Sequence, residues 1–219
     1  MREKLKAVFG KGVFGAGWRD AGASVLLVVA VYFTNEIYAL LNHGPAVLDL
    51  RTSIDRALPL VPVFVIPYDS LNLYVYLSLI LFLLFRNRLF QSAALSMIGA
   101  WLVSYLFYFF LQTEVARPVI MGHDLFSRML REVYAGDNPY NDFPSLHTSI
   151  STILAIHWLR FDRRAGWPLA AWTALIVAST LLVKQHYVAD LLAGLLLAFG
   201  MATLFTRLLL GKKKESVPA

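Results

Sequence analysis

The sequence contains no cysteine, which excludes disulfide cross-links and thiolate chemistry and leaves cysteine usage silent on redox compartment. Charge is scarce too. Only 16% of the 219 residues are Asp, Glu, Lys or Arg, against about a quarter in a soluble domain. Internal repeats and low-complexity tracts are missing as well. What fills the chain is apolar: 58% of it is hydrophobic and the mean hydropathy is +0.60, the balance of a single membrane domain.

The apolar residues fall into runs. Residues 1–20 set Arg2, Lys4, Lys6, Lys11 and Arg19 among Leu5, Val8, Phe9, Val13 and Phe14, a pattern that predicts an amphipathic helix lying on an anionic membrane surface. A cleaved signal peptide fits less well, because the next apolar run is long and no small-residue cleavage site closes it. Six spans follow within a membrane domain covering 21–211, at about 23–41, 71–85, 93–111, 146–161, 167–183 and 186–210, ahead of a basic tail over 212–219. Between the first two, Pro45, Pro59, Pro62 and Pro67 oppose a regular spanning helix and predict a re-entrant or interfacial connector. The polar loop from Gln112 to Leu146 is of a length that usually carries function. Within it, Leu125, Met129, Leu130 and Val133 recur at the spacing of a short surface helix. The expected fold is therefore an all-α, six-span bundle with an N-terminal amphipathic helix and one long loop.

With six spans, one side of the membrane receives the N-terminal segment, the loops at Arg86 and Arg163 and the tail Lys212-Lys-Lys214, hence most of the 20 Lys and Arg. The positive-inside rule makes that side cytoplasmic. The long loop then lies outside, together with the heads of the fourth and sixth spans. The basic patches read as lipid anchors and not as a nucleic-acid footprint, since no basic stripe with interleaved aromatics lies in a soluble segment.

Those two span heads carry the chemistry. Phe143-Pro-Ser-Leu-His147 opens the fourth span and Lys184-Gln-His186 opens the sixth, with Asp190 one helical turn beyond His186. Ionisable side chains at such positions tend to mark function. A histidine whose second ring nitrogen is held by a carboxylate is a competent nucleophile toward phosphorus, a role that fits His186 with Asp190 as its orienter. His147 can act as general acid and base beside a helix N-terminus that favours a phosphate anion. Ser145 adds a hydroxyl donor, and Arg117 and Lys184 could neutralise phosphoryl oxygens. Taken singly, each has a plainer role: an interfacial anchor for Arg117, a snorkelling lysine for Lys184, bonds within the helix for Ser179 and Thr180. His157 reads as a structural partner, Asp137 and Asp142 as part of a solvated loop, and Glu36 as facing either a polar cavity or the interface.

Pro144-Ser-Leu-His147 resembles the Pro-Ser-Gly-His motif of the type 2 phosphatidic acid phosphatase superfamily. Ser179, His186 and Asp190 match the spacing of that superfamily's Ser-Arg-x5-His-x3-Asp motif, and Arg117-Pro118 looks like the end of its Lys-x6-Arg-Pro motif. The resemblance covers about 58–210. It also departs: Phe110 stands where the first motif has lysine, Leu146 where the second has glycine and Thr180 where the third has arginine. Ser179-Thr180, Gln185-His-Tyr187 and the connector Pro59-x-x-Pro62 leading to Tyr68 look more like the inositol phosphorylceramide synthase branch.

The resemblance implies a phosphohistidine mechanism without metal or other cofactor. Catalysis would fall to His147, His186 and Asp190, and phosphate binding to Arg117, Ser145, Lys184, Ser179 and Thr180. The substrate would be a lipid phosphate or pyrophosphate, cleaved at the extracytoplasmic leaflet of a bacterial plasma membrane with both termini cytoplasmic. Water as acceptor makes the protein a phosphatase; a lipid or polyol alcohol makes it a phosphotransferase. The missing cations also leave room for a lipid-binding or translocating bundle without catalysis.

Overall fold

The computed structural model describes residues 10–45 and 48–211. Residues 1–9 of the expected N-terminal amphipathic segment and the basic tail over 212–219 lie outside the described residues. The part of that segment that is described holds a 3-10 turn, Val13–Gly15, followed by the first long helix.

Nine α-helices carry the described chain. They are α1 (Trp18–Leu41), α2 (Ser53–Ala57), α3 (Val65–Asp69), α4 (Leu71–Phe85), α5 (Asn87–Phe110), α6 (Leu125–Gly136), α7 (Leu146–Phe161), α8 (Arg163–Leu182) and α9 (Val188–Leu210). Among the described residues there is no strand, only two isolated bridges in the long loop region, Leu48 to Thr113 and Glu114 to Tyr140. Helix starts follow local chemistry. The Asp124 carboxylate accepts from the N–H groups of Phe126 and Ser127 at the head of α6, and Asp162 does the same for Arg164 and Ala165 at the head of α8. At the head of α7 the Ser145 hydroxyl accepts from the Thr148 N–H.

Five helical runs are long and apolar enough to cross a membrane: Trp18–Leu41, Pro62–Phe85, Asn87–Phe110, Arg163–Leu182 and Val188–Leu210. The second begins earlier than the prolines suggested. Pro62 occupies the first turn of a 3-10 segment, where its missing N–H costs nothing. The Ser70 N–H then bonds the Ile66 carbonyl, and the Tyr74 N–H bonds that of Ser70, so α3 continues into α4. The remaining expected span, α7, has 16 residues, about 24 Å at 1.5 Å per residue.

α7 is enclosed by its neighbours. Ile150, Ile153 and Leu154 pack with Phe90, Ala93, Ala94 and Met97 of α5, Ile176 of α8 and Ala198 of α9, all buried. Small residues on α5 and α9 let the backbones approach closely, the usual basis of helix association in lipid. Buried polar pairs fix the register: Trp158 Nε1 donates to Ser78 Oγ at 2.8 Å, and Ser24 Oγ donates to Asn87 Oδ1 at 2.8 Å. His157 lies fully buried with Nε2 3.0 Å from Ser92 Oγ and Nδ1 2.8 Å from the Ile153 carbonyl, a structural contact. Outside this core, Leu26 and Phe33 of α1 and Leu73 and Leu77 of α4 are exposed and present apolar faces. Glu36 and its neighbour Asn35 are both exposed on α1, and of the two only Asn35 lines the cavity.

The crossing of α7 over α9 is the closest approach relevant to the site. A Cβ at Gly194 would stand 2.8 Å from the Ser145 carbonyl oxygen and 3.0 Å from Thr148 Cβ, whereas one at Gly200 would meet nothing within 4 Å. Adding that carbon at the crossing forces the helices apart, an overpacking cost of about 1–3 kcal/mol. Gly194→Ala should therefore lower the thermal midpoint in detergent, and Gly200→Ala should hold or raise it. Equal midpoints for the two variants would refute the tight crossing.

Candidate active site

The two histidine motifs meet at the heads of α7 and α9. The joining contact is between main chains: the Ser145 N–H donates to the Asp190 carbonyl at 3.1 Å. The His147 and His186 rings stand 6.1 Å apart between centroids, tilted by 60°. Asp190 Oδ2 accepts from the Tyr187 N–H at 2.7 Å and lies 3.5 Å from His186 Nδ1. One carboxylate thus caps α9 and faces the imidazole, and Nδ1 has no closer partner. His147 is held on its other side by Tyr68 of α3, whose ring stacks on it at 4.2 Å and 16°.

The loop that brings His186 into place is fixed from several directions. Lys184 adopts a left-handed conformation, φ 55°, so the chain turns sharply after α8. The N–H groups of Gln185 and His186 both bond the Thr180 carbonyl, at 2.9 and 3.2 Å. Asp55, from the connector, accepts from the Val188 N–H at 2.8 Å and caps α9 from outside. Burial raises the Asp55 carboxyl, but the bonds from Thr52 and Val188 outweigh it and leave it below the ordinary value.

Both histidines open on a cavity of about 550 Å³. Its polar end carries Asp137, Asn141, Asp142, His147, Gln185 and His186, together with Tyr38, Tyr68 and Tyr108. Its remaining wall is apolar and runs between α1 and α4, past Val28, Val31, Leu79, Ile80 and Leu83. A group bound at the histidines would trail an apolar chain into this groove, an arrangement that suits a lipid.

The other expected site residues take different places. Arg117 does not line the cavity. Its guanidinium donates to the carbonyls of Tyr134, Asp137 and Asn138 and to Gln185 Oε1, and packs over the Tyr134 ring. Lys184 Nζ turns away, toward the carbonyls of Asp55 and Leu58 at 3.1 and 2.6 Å. Ser179 and Thr180 are buried and bond within α8, to the carbonyls of Ile176 and Val177. Ser145 serves as the α7 cap. The catalytic candidates are gathered, and the cation candidates stand behind them.

Asp142 departs from the sequence expectation of a solvated loop, whereas Asp137 keeps 30% of its side chain exposed. Asp142 is 4% exposed, with its N–H on Thr113 Oγ1, and Asp137 is bonded by Tyr38 and Asn42. Burial raises Asp137, with the Arg117 guanidinium pulling the other way. Burial likewise raises Asp142 well above 3.8, and the nearby Asp190 charge adds to it. Periodicity could not reveal this, because these residues sit in irregular backbone; the only signal was adjacency to the Phe143-Pro144 motif. Among the described residues no group of three or more His, Asp or Glu is arranged to share a metal ion.

The model of the PAP2 superfamily matches residues 48–204. An uncharacterized protein of Methanocaldococcus jannaschii is 27% identical over 139 residues, 60% of this chain and 57% of that protein. The undecaprenyl-diphosphatase BcrC of Bacillus subtilis is 37% identical over 65 residues, 30% of this chain and 34% of its own length. In each case the chain spans less than two thirds of the relative. No solved structure matches.

The raised Asp142 carboxyl has a measurable consequence. A carboxyl raised in the folded state binds its proton more tightly there than in the unfolded chain. It therefore favours folding at low pH and opposes it as pH climbs past 3.8 toward the folded value. Asn at this position mimics the protonated form. The thermal midpoint of Asp142→Asn minus that of wild type should grow between about pH 4 and about pH 8. A difference that shrinks over that interval would contradict the burial of Asp142.

Proposed function

The chain belongs to the PAP2 superfamily, and from that premise we propose that it is a membrane lipid phosphatase working through a phosphohistidine on His186. The observation that carries this reading is the meeting of His147, His186 and Asp190 at the head of a largely apolar cavity. His186 Nε2 attacks phosphorus and the bond from phosphorus to the lipid oxygen breaks. Asp190 orients the ring through Nδ1 and offsets the positive charge that forms. His147 gives its proton to the leaving oxygen, then takes one from the water that cleaves the N–P bond and releases phosphate. All of this is done by side chains of the protein, with no metal required.

The relative from Bacillus subtilis is named for a polyprenyl diphosphate, and a lipid diphosphate is the first substrate to test here. The domain proposal is an interfacial segment over 1–20, a membrane domain over 21–211 that counts α7 as the sixth crossing, and a tail over 212–219. With six crossings the termini are cytoplasmic and the histidines face the exterior of a bacterial plasma membrane, as the distribution of Lys and Arg favours. A second reading has an observation of its own. The cavity lining contains Asp137 and Asp142 and no Lys or Arg, and carboxyl groups are good partners for the hydroxyls of an alcohol acceptor. Transfer of a phosphoryl head group would use the same two histidines.

A panel of lipid phosphates and diphosphates, with and without polyols and lipid alcohols, separates these readings. Phosphate release in the presence of chelator, lost by at least about a thousandfold in His186→Ala, is the expected result. A new phospholipid formed only with alcohol supports transfer. Activity unchanged in His186→Ala would end the mechanism, and inertness of wild type across the panel would favour a lipid-binding bundle.

A further inference from the structure

The histidine pair needs hydrogen-bond donors for the phosphoryl oxygens, yet Arg117 lies outside the cavity lining with both terminal nitrogens bonded to protein oxygens, and Lys184 Nζ bonds two backbone carbonyls. Two neutral side chains stand in their place. Asn141 and Gln185 are each 2% exposed, and both line the cavity beside His147 and His186. In each the amide oxygen is anchored: Asn141 Oδ1 accepts from Gln112 Nε2 at 3.1 Å, and Gln185 Oε1 accepts from the Arg117 guanidinium. Anchoring the oxygens fixes which end of each amide is free. The two NH2 groups, Asn141 Nδ2 and Gln185 Nε2, are buried and have no protein partner.

A buried amide NH2 without a partner is costly, so two of them in one cavity call for an explanation. Asn141 also holds a left-handed backbone, φ 63°, a conformation that side-chain-bearing residues adopt with strain and that concentrates at functional positions. The free donors stand in the loop just before α7 and in the loop just before α9, the two segments that deliver the histidines.

We propose that Asn141 and Gln185 are the phosphate-binding residues of this site, a pair of neutral amide donors aimed at the phosphoryl oxygens, with Arg117 acting behind them as a positioning residue that holds Gln185. This rests on the histidine pair being a phosphoryl-transfer centre. Neutral donors held in fixed positions stabilise developing charge without reorganising, as oxyanion holes do. They also explain how the chain does without the lysine of the first superfamily motif and the arginine of the third.

Isosteric carboxylates test the idea, because they preserve the anchored oxygen and invert the free end. Gln185→Glu still accepts from Arg117 and Asn141→Asp still accepts from Gln112, yet each now turns an oxygen toward the anion. The probe is orthovanadate, an oxyanion analogue of the transferring phosphoryl group, applied to the full chain in detergent. Binding is read from its effect on the thermal midpoint and, where lipid diphosphate is turned over, from its inhibition constant. Each variant should weaken vanadate at least about tenfold, with a midpoint near wild type in the absence of vanadate. A merely structural role predicts that the carboxylates bind vanadate as wild type does. Gln185→Met and Asn141→Leu remove the donors without adding charge. They should also weaken vanadate, and they serve where a carboxylate variant fails to fold. Folded variants that match wild type within about twofold would overturn the proposal, as would a wild type that does not bind vanadate. Turnover surviving in His186→Ala would instead remove the phosphohistidine while leaving the donor assignment to the vanadate result.

Discussion

The hydrogen bond from the Ser145 N–H to the Asp190 carbonyl is the constraint on which the rest of the site depends. It joins the first residues of two helices whose histidines lie about 40 positions apart in sequence, and it works only because Gly194 lets α7 lie directly on α9. Three separate demands meet at Asp190. Its carbonyl ties the helices, one carboxylate oxygen caps α9 through Tyr187, and that same oxygen faces His186. A carboxylate shared in this way is held in one orientation by its own helix, and it stands 3.5 Å from the imidazole nitrogen it faces.

Around that joint the protein is built in layers of decreasing order. The bundle core, centred on α5 and α7, is apolar and closely packed, with a few buried polar pairs setting register. Next come irregular segments that carry donors and acceptors to the cavity: the connector with Asp55 and Tyr68, and the loops with Arg117, Asn141 and Gln185. Their backbone polar groups are satisfied by side chains, as buried loops require. Arg117 illustrates the economy of this, since one guanidinium closes three carbonyls and orients an amide that lines the cavity. Outermost are the apolar faces of α1 and α4, which also wall the groove.

Much of this was legible in the sequence. Long apolar runs gave the all-helical class, and helical spacing found α6 within the long loop. The spacing of His186 and Asp190 put them on one face, because a helix turn is a local property. Chain-distant geometry was not legible. Proline spacing suggested that the connector interrupts the second span, whereas Pro62 begins a helical run that continues through Ser70. The burial of Asp142 was hidden because polarity in a loop does not reveal what folds over it. Arg117 carries an Arg-Pro motif and Lys184 a suitable charge, yet nearby carbonyls take hydrogen bonds from both. Asn141 and Gln185 carry no charge, and only their anchored oxygens reveal the free donors.

The central claim is that a phosphoryl group passes through His186. The most direct measurement is to mix wild-type protein with a radiolabelled lipid phosphate or diphosphate, quench within milliseconds in alkali, and map the label by mass spectrometry. A phosphoramidate bond survives alkali and is lost in acid. The account predicts acid-labile label on His186 alone in wild type, and in His147→Ala slower loss of whatever label has formed, because the incoming water lacks its proton acceptor. Label on another residue, or turnover of a good substrate with no covalent label at any quench time in either protein, would contradict it.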